Sequence, residues 1–174
     1  MPRVHKVKRI KGGVKEYICV KCRKPIEPGQ EYYHWTKYKQ SVRQQHVTCG
    51  YPKRSQLSDS KMGPVWDEID GFNPSELEQV DDIKSALQSI AGVATDVAAE
   101  YNESADGIEQ QFSNSPTGDA CREVADALES WAADLENWEP SADTEEGTKT
   151  FEDWLEEVRE EAQDIVSEAP EYNG

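Results

Sequence analysis

The sequence predicts an α+β protein in two parts: a small β-rich finger held by a metal ion, followed by an acidic three-helix bundle or helical hairpin. Three observations predict it. Cys19 and Cys22 form a C-x2-C pair, and His46 and Cys49 form an H-x2-C pair 23 residues further on. Charge is divided sharply: residues 1–64 carry 15 Lys/Arg against 4 Asp/Glu, a net of +11, whereas residues 65–174 carry 4 against 31, a net of -27. Beyond residue 75 apolar side chains recur at steps of three and four, the period of a helix with one buried face.

The four ligand-type residues come first because their chemistry is the most specific. Zinc takes four soft or borderline donors at tetrahedral corners, and closed structural sites are commonly Cys3His. Two donors separated by two residues can grip one ion from a tight turn, and two such pairs complete the shell. Three of the 4 cysteines are used this way; the fourth, Cys121, falls in a helical stretch. Two other readings compete: chance spacing, which a cysteine-poor chain seldom yields twice, and a redox C-x-x-C, which expects a strand-to-helix setting in a βαβ unit. The stretch around Cys19 lacks that setting. The cofactor implied is a structural Zn2+.

Residues 1–13 read as a flexible basic arm ending at Gly12-Gly13. The finger spans 14–62. Within it, 14–20 are strand-like and lead into the first ligand pair; Pro25, Pro28 and Gly29 mark a turn. The segments 31–38 and 41–47 make an antiparallel hairpin turning at Lys39-Gln40. Residues 50–61 read as a loop with a short turn. A core this small rarely holds alone, and a metal makes up the deficit. Residues 63–72 form a short connecting helix, with Pro64 at its start and Gly71 at its end.

The acidic helical region covers 73–170. Its first helix, one long helix over about 75–112, carries the stripe Leu77, Val80, Ile83, Leu87, Ile90, Ala94, Val97, Tyr101, Ala105, Ile108 and Phe112; Gly92 and Gly107 each weaken it by about 1 kcal/mol, and a break near Asn102–Gly107 is the alternative. The stretch 113–119 reads as a turn. A second helix, 119–137, presents Val124, Ala127, Leu128, Trp131, Leu135 and Trp138. A third, 149–168, presents Phe151, Trp154, Leu155, Val158, Ala162 and Ile165. The helical spacing of Trp131, Trp138 and Trp154 marks them as core residues. Short connections favour antiparallel packing.

The head also resembles a known family. CVKC at 19–22, Ile26, Gly29, the aromatic segment Tyr32–Trp35 and HVTC at 46–49 resemble the poly(ADP-ribose) polymerase-type zinc finger over about residues 14–55. The resemblance implies a treble-clef-like finger with a Cys-Cys-His-Cys site, and a family function of recognising DNA ends and breaks.

Around the site lie Arg23, Lys24, Lys37, Lys39, Arg43, Lys53 and Arg54, with Lys21 beside them. Such cations gain salt-dependent, sequence-indifferent affinity for phosphates by releasing counterions. Tyr32, Tyr33, Trp35 and Tyr38 interleave with them. Exposed aromatics stack on unpaired bases, and Trp35 is the candidate for that role; packing of alternate aromatics inside the hairpin is the competing reading for at least two of the four. The expected function is a zinc-binding, non-enzymatic nucleic-acid-binding accessory or regulatory protein, contacting DNA or RNA through its head and a protein partner through its acidic helices. The alternative is a protein–protein adaptor or inhibitor, including a nucleic-acid mimic, in which the finger is structural. A gate in which the tail covers its own head, and a helical surface whose charge serves solubility alone, are further readings of the acidic region. P-loop, dinucleotide-binding, serine-hydrolase and zinc-protease motifs are all missing, so no catalytic residue is expected. No apolar run approaches a membrane span, the basic N-terminal stretch lacks a signal-peptide core, and free thiolates fit a reducing, cytoplasmic setting.

Overall fold

The structure, a computed structural model, describes residues 3–9, 16–36, 42–141 and 150–170. The chain forms two compact units, residues 1–63 and 64–174.

The first unit is built on a three-stranded antiparallel sheet in the order β1 (His5–Lys8), β2 (Glu31–Thr36), β3 (Val42–His46). Directly paired residues of antiparallel strands project to the same side, so the register separates the two faces. Val7, Tyr32 and His46 line up across one face, with His5, His34 and Gln44 beside them; Lys6, Tyr33 and Gln45 line up across the other, next to Trp35 and Arg43. The first face carries a small core of Cys19, Ile26 and Tyr32, packed by Val7, Tyr17, Cys22 and Cys49. The second face buries Trp35 and Gln45. Helix α1 (Arg54–Leu57) answers to Trp35, whose indole N–H donates to the Gln56 carbonyl at 3.0 Å, and Gly50, ahead of that helix, answers to Gln45, whose amide donates to its carbonyl at 3.0 Å. A buried amide is tolerable because these partners replace water.

Three expectations for the head need correction. The basic arm is not wholly an arm, since residues 5–8 form β1 and pair with β2. The strand expected over 14–20 is not one: its described part contributes a single bridge, Ile18 to Pro25. Trp35 is not an exposed stacking platform; it is 1% exposed, because α1 covers it. The turn at Lys39-Gln40 lies outside the described residues.

The second unit opens with α2 (Gly63–Gly71), which buries Val65 and Trp66, and a 3-10 turn at Pro74–Glu76. Three long helices follow: α3 (Val80–Gln111), α4 (Pro116–Glu136) and α5 (Phe151–Ser167). Cross-links set their directions. Arg122 on α4 pairs with Asp106 at 3.1 Å and Glu109 at 2.6 Å on α3, and Asn102 donates to Glu129 at 3.1 Å, so these helices run antiparallel. The Trp131 indole donates to the Ile165 carbonyl at 2.9 Å, joining α4 to α5. Most of the expected stripes form the core: Ile83, Leu87, Ile90, Ala94, Val97, Tyr101 and Ala105 are buried on α3, Leu128, Trp131 and Leu135 on α4, and Leu155, Val158 and Ala162 on α5, whereas Ala127, expected on the α4 stripe, is exposed and Ala125 is buried in its place.

The helix limits differ from the sequence reading for identifiable reasons. The first helix starts at Val80 rather than 75, because Arg159 of α5 donates twice to the Leu77 carbonyl, at 3.1 and 2.6 Å. That carbonyl is claimed from outside the helix. The helix runs unbroken through Asn102–Gly107; Gly107 is exposed, and the last buried residue of the stripe is Ala105, with Ile108 half-buried. The second helix starts at Pro116 rather than 119, with proline in the first turn, where its missing N–H costs nothing. Thr150 and Asp153 form a reciprocal capping box that fixes the start of α5. Phe112 and Phe151, the end members of two expected stripes, are 66% and 65% exposed; Trp138 and Trp154 are half-buried.

Removing a fully buried side chain from this bundle loses transfer energy and leaves a cavity. Leu128→Ala is therefore expected to cost about 2–5 kcal/mol in urea unfolding followed by circular dichroism. The helical unit should also gain stability as NaCl rises from about 50 to about 500 mM, because its carboxylates repel one another and salt screens them. A melting temperature that falls over that range would contradict the charge argument.

Candidate metal centre

Two local structures deliver the ligands. The first is a tight hairpin over 17–26. Ile26 N–H donates to the Tyr17 carbonyl at 2.7 Å, Cys19 N–H to Lys24 at 2.9 Å, and Arg23 N–H back to Cys19 at 3.0 Å. Arg23 adopts φ +60 to close the turn, an uncommon conformation for a residue with a Cβ. Cys19 and Cys22 thus look the same way. The second is the end of β3 running into a 3-10 turn at Val47–Cys49, which places Cys49 one turn beyond His46. Val20 N–H donates to the Gln44 carbonyl at 2.9 Å and Lys21 Nζ to the Cys49 carbonyl at 2.8 Å, tying the two halves together.

The outcome is a Cys19, Cys22, His46, Cys49 cluster whose ligand atoms all lie within 4.8 Å of one another. Cys19 Sγ is 3.9 Å from Cys49 Sγ; His46 Nδ1 is 3.3 Å from Cys22 Sγ and 3.9 Å from Cys49 Sγ. A tetrahedral zinc shell would set edges of about 3.8 Å between sulfurs and about 3.5 Å between sulfur and nitrogen. The cluster can hold a metal ion and is compatible with zinc. The opposite ring nitrogen, His46 Nε2, lies 3.2 Å from the Pro25 carbonyl. A carbonyl only accepts, so Nε2 carries the proton and Nδ1 presents its lone pair to the sulfurs. Metal-binding histidines are oriented by this kind of outer contact.

Electrostatics points the same way. Burial pushes the Cys19 thiol up, but backbone N–H groups of Cys22, His46 and Lys21 and the Cys22 side chain outweigh it and bring Cys19 down to about 6. Cys49 is pushed up to about 11 by burial and by the neighbouring Cys22 and Cys19 sulfurs. The Cys19 thiolate is available at neutral pH, and ionisation of Cys49 beside it is opposed until a cation enters. Metal binding must therefore expel protons, and acid must favour release.

The redox alternative finds no support, since the C-x-x-C sits in a hairpin turn rather than between a strand and a helix. Of the residues proposed for nucleic acid, Arg23, Lys24, Lys53 and Arg54 are exposed and Arg43 is half-buried. Arg43 pairs across the sheet with the buried Trp35. Lys37, Lys39 and Tyr38 lie outside the described residues. Tyr32 is buried, and Tyr33 packs edge-on against Tyr51 with centroids 5.2 Å apart. Sequence reasoning missed the role of Arg9. Its guanidinium donates to the Ile26 carbonyl and lies 5.1 Å over the Tyr17 ring, so it braces the ligand hairpin. A lone arginine in a basic stretch carries no signal for this.

No protein-family model matches the chain, and neither does any curated protein or any solved structure. Among the described residues, no helix is long and apolar enough to cross a membrane.

Cys22→Ser removes one corner of the shell. Titration with Co2+, a spectroscopic stand-in, should give an intense thiolate charge-transfer band in the native protein and lose most of it in the variant. The head should then lose its ordered tyrosine signals in near-ultraviolet dichroism while the helical signal largely persists, since structural metal binding is worth about 10–16 kcal/mol in small fingers. Lowering pH from about 8 to about 5 should release the metal progressively, because protons compete for the thiolates. Metal retention at the acidic end would contradict the assigned ligands.

Proposed function

We propose that this protein is a zinc-binding, non-enzymatic accessory or regulatory factor whose head binds nucleic acid and whose acidic helices bind a protein partner. Zinc is the ion that three thiolates and an imidazole at tetrahedral spacing serve best. Four protein ligands close the shell, leaving no position for a reactive water, which favours a structural role over catalysis. The ligand order also supports likening the head to PARP-type fingers. Thiolates of this kind persist in a reducing compartment.

The observation that carries the nucleic-acid reading is the placement of cations on the metal-knit segments. Lys21, Arg23 and Lys24 occupy the turn that bears Cys19 and Cys22 and are exposed; Lys53 and Arg54 are exposed shortly after Cys49. Metal binding would fix their backbone, so their spacing toward phosphates would depend on the ion. With Trp35 inside, the reading rests on phosphate contact rather than base stacking, and sequence-indifferent binding follows.

A second reading is favoured by a different observation. In the helical unit the described cations are spent internally: Lys84 on Glu139, Arg122 on Asp106 and Glu109, Arg159 on Glu156 and the Leu77 carbonyl. The carboxylates left over suit a basic protein surface, or a role as adaptor, inhibitor or nucleic-acid mimic.

A labelled duplex and a labelled single strand, titrated with zinc-loaded protein, separate the readings. If about five phosphates are contacted, affinity should drop by about 10²–10³ between 50 and 200 mM salt. Arg23→Glu combined with Lys24→Glu should weaken binding at least about tenfold while zinc content stays stoichiometric. Residues 1–64 alone should bind more tightly than the full chain, because the acidic unit repels phosphates. No binding by either form at low salt would leave the partner-binding reading standing alone.

A further inference from the structure

We propose that a groove beside the first turns of α5 is the docking site for a basic peptide segment of a partner protein, one that carries an aliphatic side chain between lysines or arginines. The inference rests on the reading of the helical unit as partner-binding and says where and how that binding occurs.

The groove is about 440 Å³ and is lined by Glu78, Phe151, Glu152, Leu155, Glu156 and Arg159. Leu155, buried in the bundle, forms its apolar floor. One wall is the segment before α3, which holds its place because Arg159 donates twice to the Leu77 carbonyl. The other wall is Phe151. This ring is 65% exposed on the first residue of a helix that buries Leu155 and Val158 further along, and the half-buried Trp154 lies against it with centroids 5.6 Å apart. An aromatic left in water beside an apolar floor gains free energy when covered, at about 25 cal/mol per Å² of apolar surface.

Charge selects the occupant. Glu78, Glu152 and Glu156 surround the opening, and only Glu156 has a cationic partner among the described residues, Arg159 at 3.1 Å. Arg159 is itself committed to Leu77, so it offers little to an incoming anion. Glu152 and Glu156 lie four apart on one helix face, a like-charge pair that is mildly destabilising until a cation bridges it. A nucleic acid is repelled here. A cationic segment gains the carboxylates, and its aliphatic side chain gains Phe151 and Leu155.

The test uses the full-length zinc-loaded protein and two labelled synthetic peptides, KKLLKK and KKGGKK, titrated at low and physiological salt. KKLLKK should bind at least about fivefold more tightly than KKGGKK, since only it can cover apolar surface. Phe151→Ser should abolish that difference. Glu152→Lys should weaken KKLLKK by about fivefold or more, while Glu123→Lys, on exposed α4 surface, should change it less than about twofold. In proton–nitrogen spectra the Trp154 indole signal should move on binding, and that of Trp131, held by the Ile165 carbonyl, should not. Equal losses from Glu152→Lys and Glu123→Lys, or binding that leaves Trp154 unmoved, would overturn the groove while leaving a diffuse acidic docking surface intact. A Trp154 shift with protein concentration alone would assign the groove to a second copy of this chain instead. Failure of both peptides to bind at low salt would sink the partner-binding reading together with the groove.

Discussion

Three sulfurs and an imidazole nitrogen within 4.8 Å of one another are a source of repulsion before they are a source of stability. The Cys19 thiol is drawn down to about 6, and Cys49 is driven up to about 11 by burial and by its neighbouring sulfurs. A divalent cation reverses that balance, since each thiolate then faces a charge of opposite sign. The rest of the head depends on this reversal. The ligand hairpin, the end of β3 and the 3-10 turn after it have little apolar surface to share: among the described residues, Cys19, Ile26 and Tyr32 make up that core's buried set. Much of what looks like packing on this face of the sheet would serve as the outer coordination of an ion held by the cluster. The contact from His46 to the Pro25 carbonyl and the reach of Lys21 to the Cys49 carbonyl belong to the same arrangement.

The helical unit solves the opposite problem. Its interior is conventional, a seam of aliphatic and aromatic side chains, while its exterior is crowded with like charge. Arg122 bridges α3 and α4, Arg159 holds α5 to the segment before α3, and Lys84 reaches Glu139 beyond α4. Exposed pairs of this kind contribute little one at a time. Here each also relieves repulsion between neighbouring carboxylates and joins elements distant in sequence. Their value lies in fixing how the helices sit against one another.

Much of this was legible in the sequence, and the reasons for the exceptions are physical. The metal ligands were legible because coordination demands particular atoms at short covalent spacing. The hairpin of β2 and β3 followed from its bounding turn residues, and the three helices from a stripe of period near 3.6. β1 was hidden because His-Lys-Val-Lys offers one apolar side chain and reads as solvent-exposed; it is an edge strand, recruited by the backbone of β2 rather than by its own pattern. The burial of Trp35 was hidden because α1 is 4 residues long, too short to show a periodicity. The later start of the first helix was hidden because Arg159 acts across 82 positions of sequence. The groove at α5 left only a misleading trace: Phe151 fits the helical stripe by spacing, yet it stands at the helix end, outside the seam.

The use of every described cation of the helical unit as a staple has a chemical corollary. Ten of the twelve lysines fall within residues 1–63, and the remainder are Lys84 and Lys149. Enzymes that acetylate or ubiquitinate lysine, and amine-directed reagents generally, therefore meet two very different substrates in one chain. On the metal-bearing half they would erase surface charge; on the helical half the described target is Lys84, whose acylation would cut a tether between α3 and the stretch after α4.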